Sequence, residues 1–154
     1  MRERLSDTRH SITHRCKIGT GNDAIKLYIT VGMYDDGRPG EVYLQIDERG
    51  TTLSGFCICT GILLSLCLQY GVSLDKIHEK LSYQEFEPNG MTDSTTDQLR
   101  FARSIIDYVV RWMMDEFATV LCPPASAVPT ESSRTLAPTD IAALPSTTSN
   151  PHNA

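Results

Sequence analysis

The residues able to do chemistry in this chain are few and poorly grouped. Its five cysteines, at positions 16, 57, 59, 67 and 122, are an odd number and do not follow the spacing of a disulfide framework or a zinc site. On a helix, Cys57 and Cys59 would point about 200° apart, so they could neither grip one metal ion nor bridge to each other. The cysteines therefore read as small buried apolar groups. Of the four histidines, His10 and His152 fall near the ends, His14 lies within an alternating segment and His78 within a short amphipathic one. None stands at a spacing from Ser, Cys or a carboxylate that implies a triad, so the reading contains no catalytic residue and no metal ligand.

Two groupings remain as candidates. Gly50-Thr51-Thr52-Leu53-Ser54-Gly55 sits where a strand gives way to a helix, and backbone N–H groups there, with the helix dipole, could receive an anion through Thr51, Thr52 and Ser54. It has no P-loop lysine and is not GxGxxG, and helix capping accounts for the same residue types. The second grouping is a polar sheet face carrying Arg15, Lys17, Lys26, Tyr28, Tyr34 and Tyr43, a basic surface interleaved with aromatics that could dock a protein or stack a base. Cross-strand pairing on an open sheet explains the same residues.

The elements that must position these groups follow from periodicity. Ile12, His14, Cys16 and Ile18 alternate with Thr13, Arg15 and Lys17; Ile25, Leu27, Ile29, Val31 and Met33 alternate with Lys26, Tyr28 and Thr30; Val42, Leu44 and Ile46 alternate with Glu41, Tyr43 and Gln45. Turn residues at 19–23 and 35–40 join them into a three-stranded antiparallel meander with one apolar face. The uncharged run from Phe56 to Tyr70, ending at Gly71, predicts a helix that forms the dry centre of the domain. Ser73 opens a short helix with Leu74, Ile77 and Leu81. Phe86–Gly90 breaks regular structure, and a last helix spans about Asp97 to Phe117 with Asp107/Arg111 and Arg111/Asp115 as i,i+4 pairs. The fold class is α+β, two layers, the meander covered by about three helices. Residues 1–119 form the domain and 120–154, rich in Pro, Ser, Thr and Ala, a disordered tail.

A net charge of −5 argues against a chain whose main work is neutralising nucleic-acid phosphates. The polar start MRERLSDTRHSITHR is unlike a secretory signal, so a cytoplasmic setting is expected. No charge occurs between Arg49 and Asp75, but Thr60, Gly61, Ser65 and Gln69 interrupt the apolar run, and no membrane span is expected.

The stretches RERLSDTRHSITHRCKIG, YITVGMYDDGRPGEVYLQIDERGTTLSGF, LQYGVSL, FEPNG and RFARSIIDYVVRW, in this order over about Arg2 to Phe117, resemble the TSCPD domain near the carboxyl end of adenosylcobalamin-dependent (class II) ribonucleoside-diphosphate reductases. The resemblance implies a part in deoxyribonucleotide supply for DNA synthesis, with adenosylcobalamin as cofactor of the family's full-length enzyme and none in this chain. The catalytic barrel with its radical and redox cysteines has no counterpart here, nor has a CxxC-rich tail; Leu121-Cys122-Pro123-Pro124 is at most a remnant of the pentapeptide that names the domain. The implied role is docking to, or regulating, a separately encoded catalytic subunit, with the isolated chain inactive. Alternatives are a small nucleotide- or anion-binding module and a homo-oligomer.

Overall fold

The computed structural model describes residues 1–121; of the tail expected over 120–154, Val120 and Leu121 belong to a last helical turn, and 122–154 lie outside the described residues. Strands β1 (Ser11–Ile18), β2 (Ile25–Met33) and β3 (Pro39–Ile46) pair antiparallel in the order β1-β2-β3. The register places Cys16 opposite Leu27, His14 opposite Ile29 and Val31 opposite Val42, so each strand's alternation lines up across the sheet. One face buries Cys16, Ile18, Leu27, Ile29, Val31, Val42, Leu44 and Ile46. The other carries the polar set.

Three helices of two turns or more follow: α1 (Thr52–Gln69), α2 (Leu74–Leu81) and α3 (Ile105–Glu116), with a single turn α4 (Ala118–Leu121) after them. A two-residue hairpin, β4 (Gly90–Met91) with β5 (Phe101–Ala102), leads into α3. Helix α1 stops because Gly71 takes φ +83°, donating to Leu68 O while Val72 N–H reaches back to Cys67 O.

The apolar face of the sheet receives α3. Tyr108, Val109, Trp112 and Met113 are buried on it, and the His14 ring from β1 stacks on Trp112 at 4.8 Å between centroids. Helix α2 supplies Leu74 and Ile77 to the same core. Asp107 ties the far side together: its fully buried carboxylate accepts from the N–H groups of Tyr83 and Arg103 and from Arg111 at 2.7 Å. Arg111 also donates to the carbonyls of Gln98 and Phe101.

Two expectations are corrected. The last helix does not begin near Asp97. Ser104 caps it, its Oγ accepting from Asp107 N–H, because residues 97–102 are spent on a 3-10 turn (Asp97–Leu99) and on β5. Arg111 is engaged by Asp107 and carbonyls rather than by Asp115.

The second correction concerns α1, which is not the dry centre of the domain. Of its 18 residues only Cys57, Thr60, Gly61, Leu64, Ser65 and Gln69 are buried. It lies along the outer edge of β3 rather than over the sheet. Ser65 Oγ accepts from Val42 N–H at 2.8 Å and donates to Val42 O, and Gln69 Nε2 donates to Gly40 O at 3.0 Å. These are the strand groups turned away from β2, which an uncovered edge would leave open to another chain. Gly61 allows the approach, since a Cβ there would sit 2.8 Å from Val42 O. The face of the sheet is covered by α3, and the apolar helix lies at the edge.

Candidate functional site

The strand-to-helix junction is a working cap. Thr51, the N-cap of α1, has extended backbone and its Oγ1 accepts from Ser54 N–H at 3.1 Å. Beside it opens a cleft of about 540 Å³ lined by Tyr28, Gln45, Ile46, Asp47, Arg49, Gly50, Ser54 and Ile58. Ser54 and Tyr28, predicted as parts of separate groupings, thus share one wall. Thr51 and Thr52 are exposed and do not line it.

The sheet's polar face gathers Arg15, Lys17, Lys26, Tyr28 and Tyr43. Arg15 stands opposite Tyr28, Lys17 opposite Lys26, and Tyr43 opposite Thr30. Two facing lysines would repel, and the Lys26 ammonium is drawn off to Asp47 at its strand's end. Asp93 accepts from Lys17 N–H at 2.7 Å and pairs with Arg15 at 3.2 Å; Asp47 pairs with Lys26 at 3.4 Å. Desolvation raises both carboxyls, yet bonds from Lys17 and Arg15 on Asp93, and from Lys26 on Asp47, outweigh it and hold them below their ordinary range. Glu41 takes Arg9 and the Tyr43 hydroxyl. Tyr34 is used elsewhere: its ring lies over Gly40 with Arg38 stacked on it, and its hydroxyl donates to Glu3 O, anchoring the N-terminal segment.

The thiols divide by environment. Burial pushes the Cys16 thiol up to about 12, and burial raises Cys57, so both are poor nucleophiles. Cys59, two residues on, is exposed, as the helical geometry requires. Among the described residues no three His, Cys, Asp or Glu side chains gather as a metal site. His14 Nε2 lies 2.9 Å from the Tyr108 hydroxyl, and burial lowers its pKa; Tyr108 in turn is raised by burial and by Cys16.

Residue-by-residue reasoning missed the outer side of α1. Phe56, Ile58, Cys59, Ile62, Leu63 and Tyr70 are exposed there. The signal was present in the unbroken lack of charge from 50 to 74, but a helix apolar on all sides was read as one buried on all sides.

The residues present do not fit a cobalamin. Each described cleft has a volume between 370 and 580 Å³, sized for a ligand of drug dimensions and too small to enclose a corrin with its nucleotide loop and adenosyl group.

The TSCPD domain family matches residues 3–117. Similar curated proteins are the vitamin B12-dependent ribonucleotide reductases of Rhodopirellula baltica, 43% identical over 112 residues, of Bradyrhizobium diazoefficiens, 37% over 110, and of Streptomyces avermitilis, 37% over 117. The matched part covers 73%, 71% and 76% of this chain and 10%, 8% and 12% of those relatives. No solved structure matches significantly. With the match running from the N-terminal anchor through β1–β3 to the end of α3, the chain belongs to the TSCPD domain family.

Proposed function

We propose that this chain is a ribonucleotide-reductase-associated domain that docks on, or regulates, a catalytic subunit encoded separately, and so supports deoxyribonucleotide supply for DNA synthesis in the cytoplasm. One observation carries the reading: residues 3–117 match the TSCPD domain family, and nearly the same stretch is similar to about a tenth of the length of vitamin B12-dependent ribonucleotide reductases. The face suited to such docking is the open side of the sheet. Tyr28 and Tyr43 stand half-exposed there among charges already paired within the domain. A surface of that kind loses little on desolvation and gives reversible, orientation-specific contact.

The test is reconstitution. The purified chain with ribonucleoside diphosphate, adenosylcobalamin and a dithiol should yield no deoxyribonucleotide. Added to a B12-dependent reductase barrel that lacks this domain, it should bind and change turnover. Turnover by the chain alone, or indifference of the barrel to it, contradicts the reading.

A second reading, a nucleotide- or anion-binding module, is favoured by the cleft where Tyr28, Arg49 and Ser54 meet. Calorimetric titration of the chain with dATP, ATP and inorganic phosphate separates the two, because docking alone predicts no heat of binding.

A further inference from the structure

Helix α1 presents a bare seam. Gly55, Cys59, Ile62 and Leu66 follow one another at spacings of four, three and four, which puts them on one line along the helix. That line runs opposite Cys57, Thr60, Gly61 and Leu64, which face β3, while Ser65 and Gln69, bonded to the β3 edge, border it on one side. Ile58, Leu63 and Phe56 flank it at 52%, 61% and 41% exposure, and Ile62 within it is 55% exposed. A Cβ built on Gly55 meets no atom within 4 Å, so the helix surface there opens to solvent with room for a large side chain from outside.

We infer that a second copy of this chain covers the seam, the two α1 helices crossing antiparallel about a two-fold axis between Cys59 and Ile62. Three features single out this occupant. First, size alternates in the way a two-fold requires: in an antiparallel pair centred there, Gly55 faces the partner's Leu66 and Cys59 faces the partner's Ile62. Each small residue of one helix receives a large one of the other, and a two-fold interface must be self-complementary in this way. Second, no charge from residue 50 to 74 sets one copy against its twin, and the antiparallel helix dipoles attract. Third, the area suffices. The exposed parts of Phe56, Ile58, Ile62, Leu63 and Tyr70 amount to roughly 500–600 Å² per copy, at the upper end for a patch on a monomer. Covered on both copies, with Leu66 and the rim, they reach about 1,200 Å², the threshold of stable interfaces.

A lipid surface fits less well. Although α1 is long and apolar enough to cross a bilayer, Ser65 and Gln69 are bonded to the edge of β3. An interfacial helix would also carry Lys and Arg along its own length, which residues 50–74 lack; Arg2, bonded to Gln69, and Arg49 stand only at its two ends.

The inference is independent of the reductase reading, and its test uses the full chain alone. Sedimentation equilibrium at tens of micromolar should give twice the 17.1 kDa chain mass. Ile62→Glu, at an exposed position, should leave the circular dichroism and melting of the fold intact and raise the dimer dissociation constant about 30-fold or more. Gly55→Leu, whose Cβ would meet no atom of the chain within 4 Å, adds bulk where the partner's Leu66 would sit and should weaken the dimer likewise. A monomeric wild type, a larger assembly, or a dimer indifferent to both substitutions overturns the proposal. So does co-sedimentation of monomer with phosphatidylcholine/phosphatidylglycerol vesicles, which would assign the seam to a membrane.

Discussion

The two exposed surfaces of this domain solve opposite problems. On the open side of the sheet, almost every charged group finds its counterpart inside the molecule: Arg15 with Asp93, Lys26 with Asp47, Arg9 with Glu41. On the outer side of α1 the exposed side chains are aliphatic and aromatic, with the Cys59 thiol among them and no charged residue of the helix. The first surface is stable in water as it stands and suits a partner that comes and goes. The second keeps apolar area wet, a standing cost that only a permanent cover relieves. Exposure alone does not distinguish them; the chemistry of what is exposed does.

Substitutions sort along this difference. The inner stripe of α1 should be the most sensitive. Gly61→Val places side-chain atoms against the backbone of Val42, and a loss of about 3 kcal/mol in urea unfolding is expected. Ser65→Ala removes the partner of Val42 N–H and should cost about 1–3 kcal/mol by the same measurement. If either left stability unchanged, α1 would not be seated on the β3 edge.

Acid should act through the core behind the sheet. Because burial lowers the folded pKa of His14, the unfolded chain takes up a proton that the folded one resists. Stability is therefore full above the ordinary value of about 6.5 and declines as pH falls below it. Melting temperatures between pH 7.5 and 5.5 should show this, and His14→Gln should flatten the slope. The lowered carboxyls of Asp93 and Asp47 act in a separate window: their contribution is present above the ordinary carboxyl range and is lost on further acidification through their folded values. Least should come from the sheet's open face, where Arg15→Ala or Lys26→Ala should shift unfolding by no more than about 0.5 kcal/mol, a difference that salt erases.

Period-two alternation was enough to place β1, β2 and β3 and to say which face of each is buried, because a strand in this sheet meets only two environments. Helix α2 was equally plain, its Leu74, Ile77 and Leu81 marking a single apolar stripe. Helix α1 was legible as a helix but not in its placement. A segment apolar on every side carries no record of which side is covered, and the deciding contacts are Ser65, Gln69 and Gly61, whose roles depend on backbone atoms some twenty to thirty residues away. The start of α3 was misjudged for a related reason: residues 97–102 have helical spacing, but the pairing of β5 with β4 and the Ser104 cap are tertiary choices. Of the candidate site, the register delivered five face residues together, while Tyr34 left them because a bulge between Gly32 and Met33 ends the alternation just before it.

The most direct test of the account compares two thiols on one helix. Site-resolved maleimide labelling of Cys57 and Cys59, followed as protein concentration is raised, should find Cys57 slow throughout, and Cys59 fast in dilute solution and increasingly protected as copies associate. Equal labelling of both, or a Cys59 rate unaffected by concentration, would contradict a helix seated on one side and paired on the other.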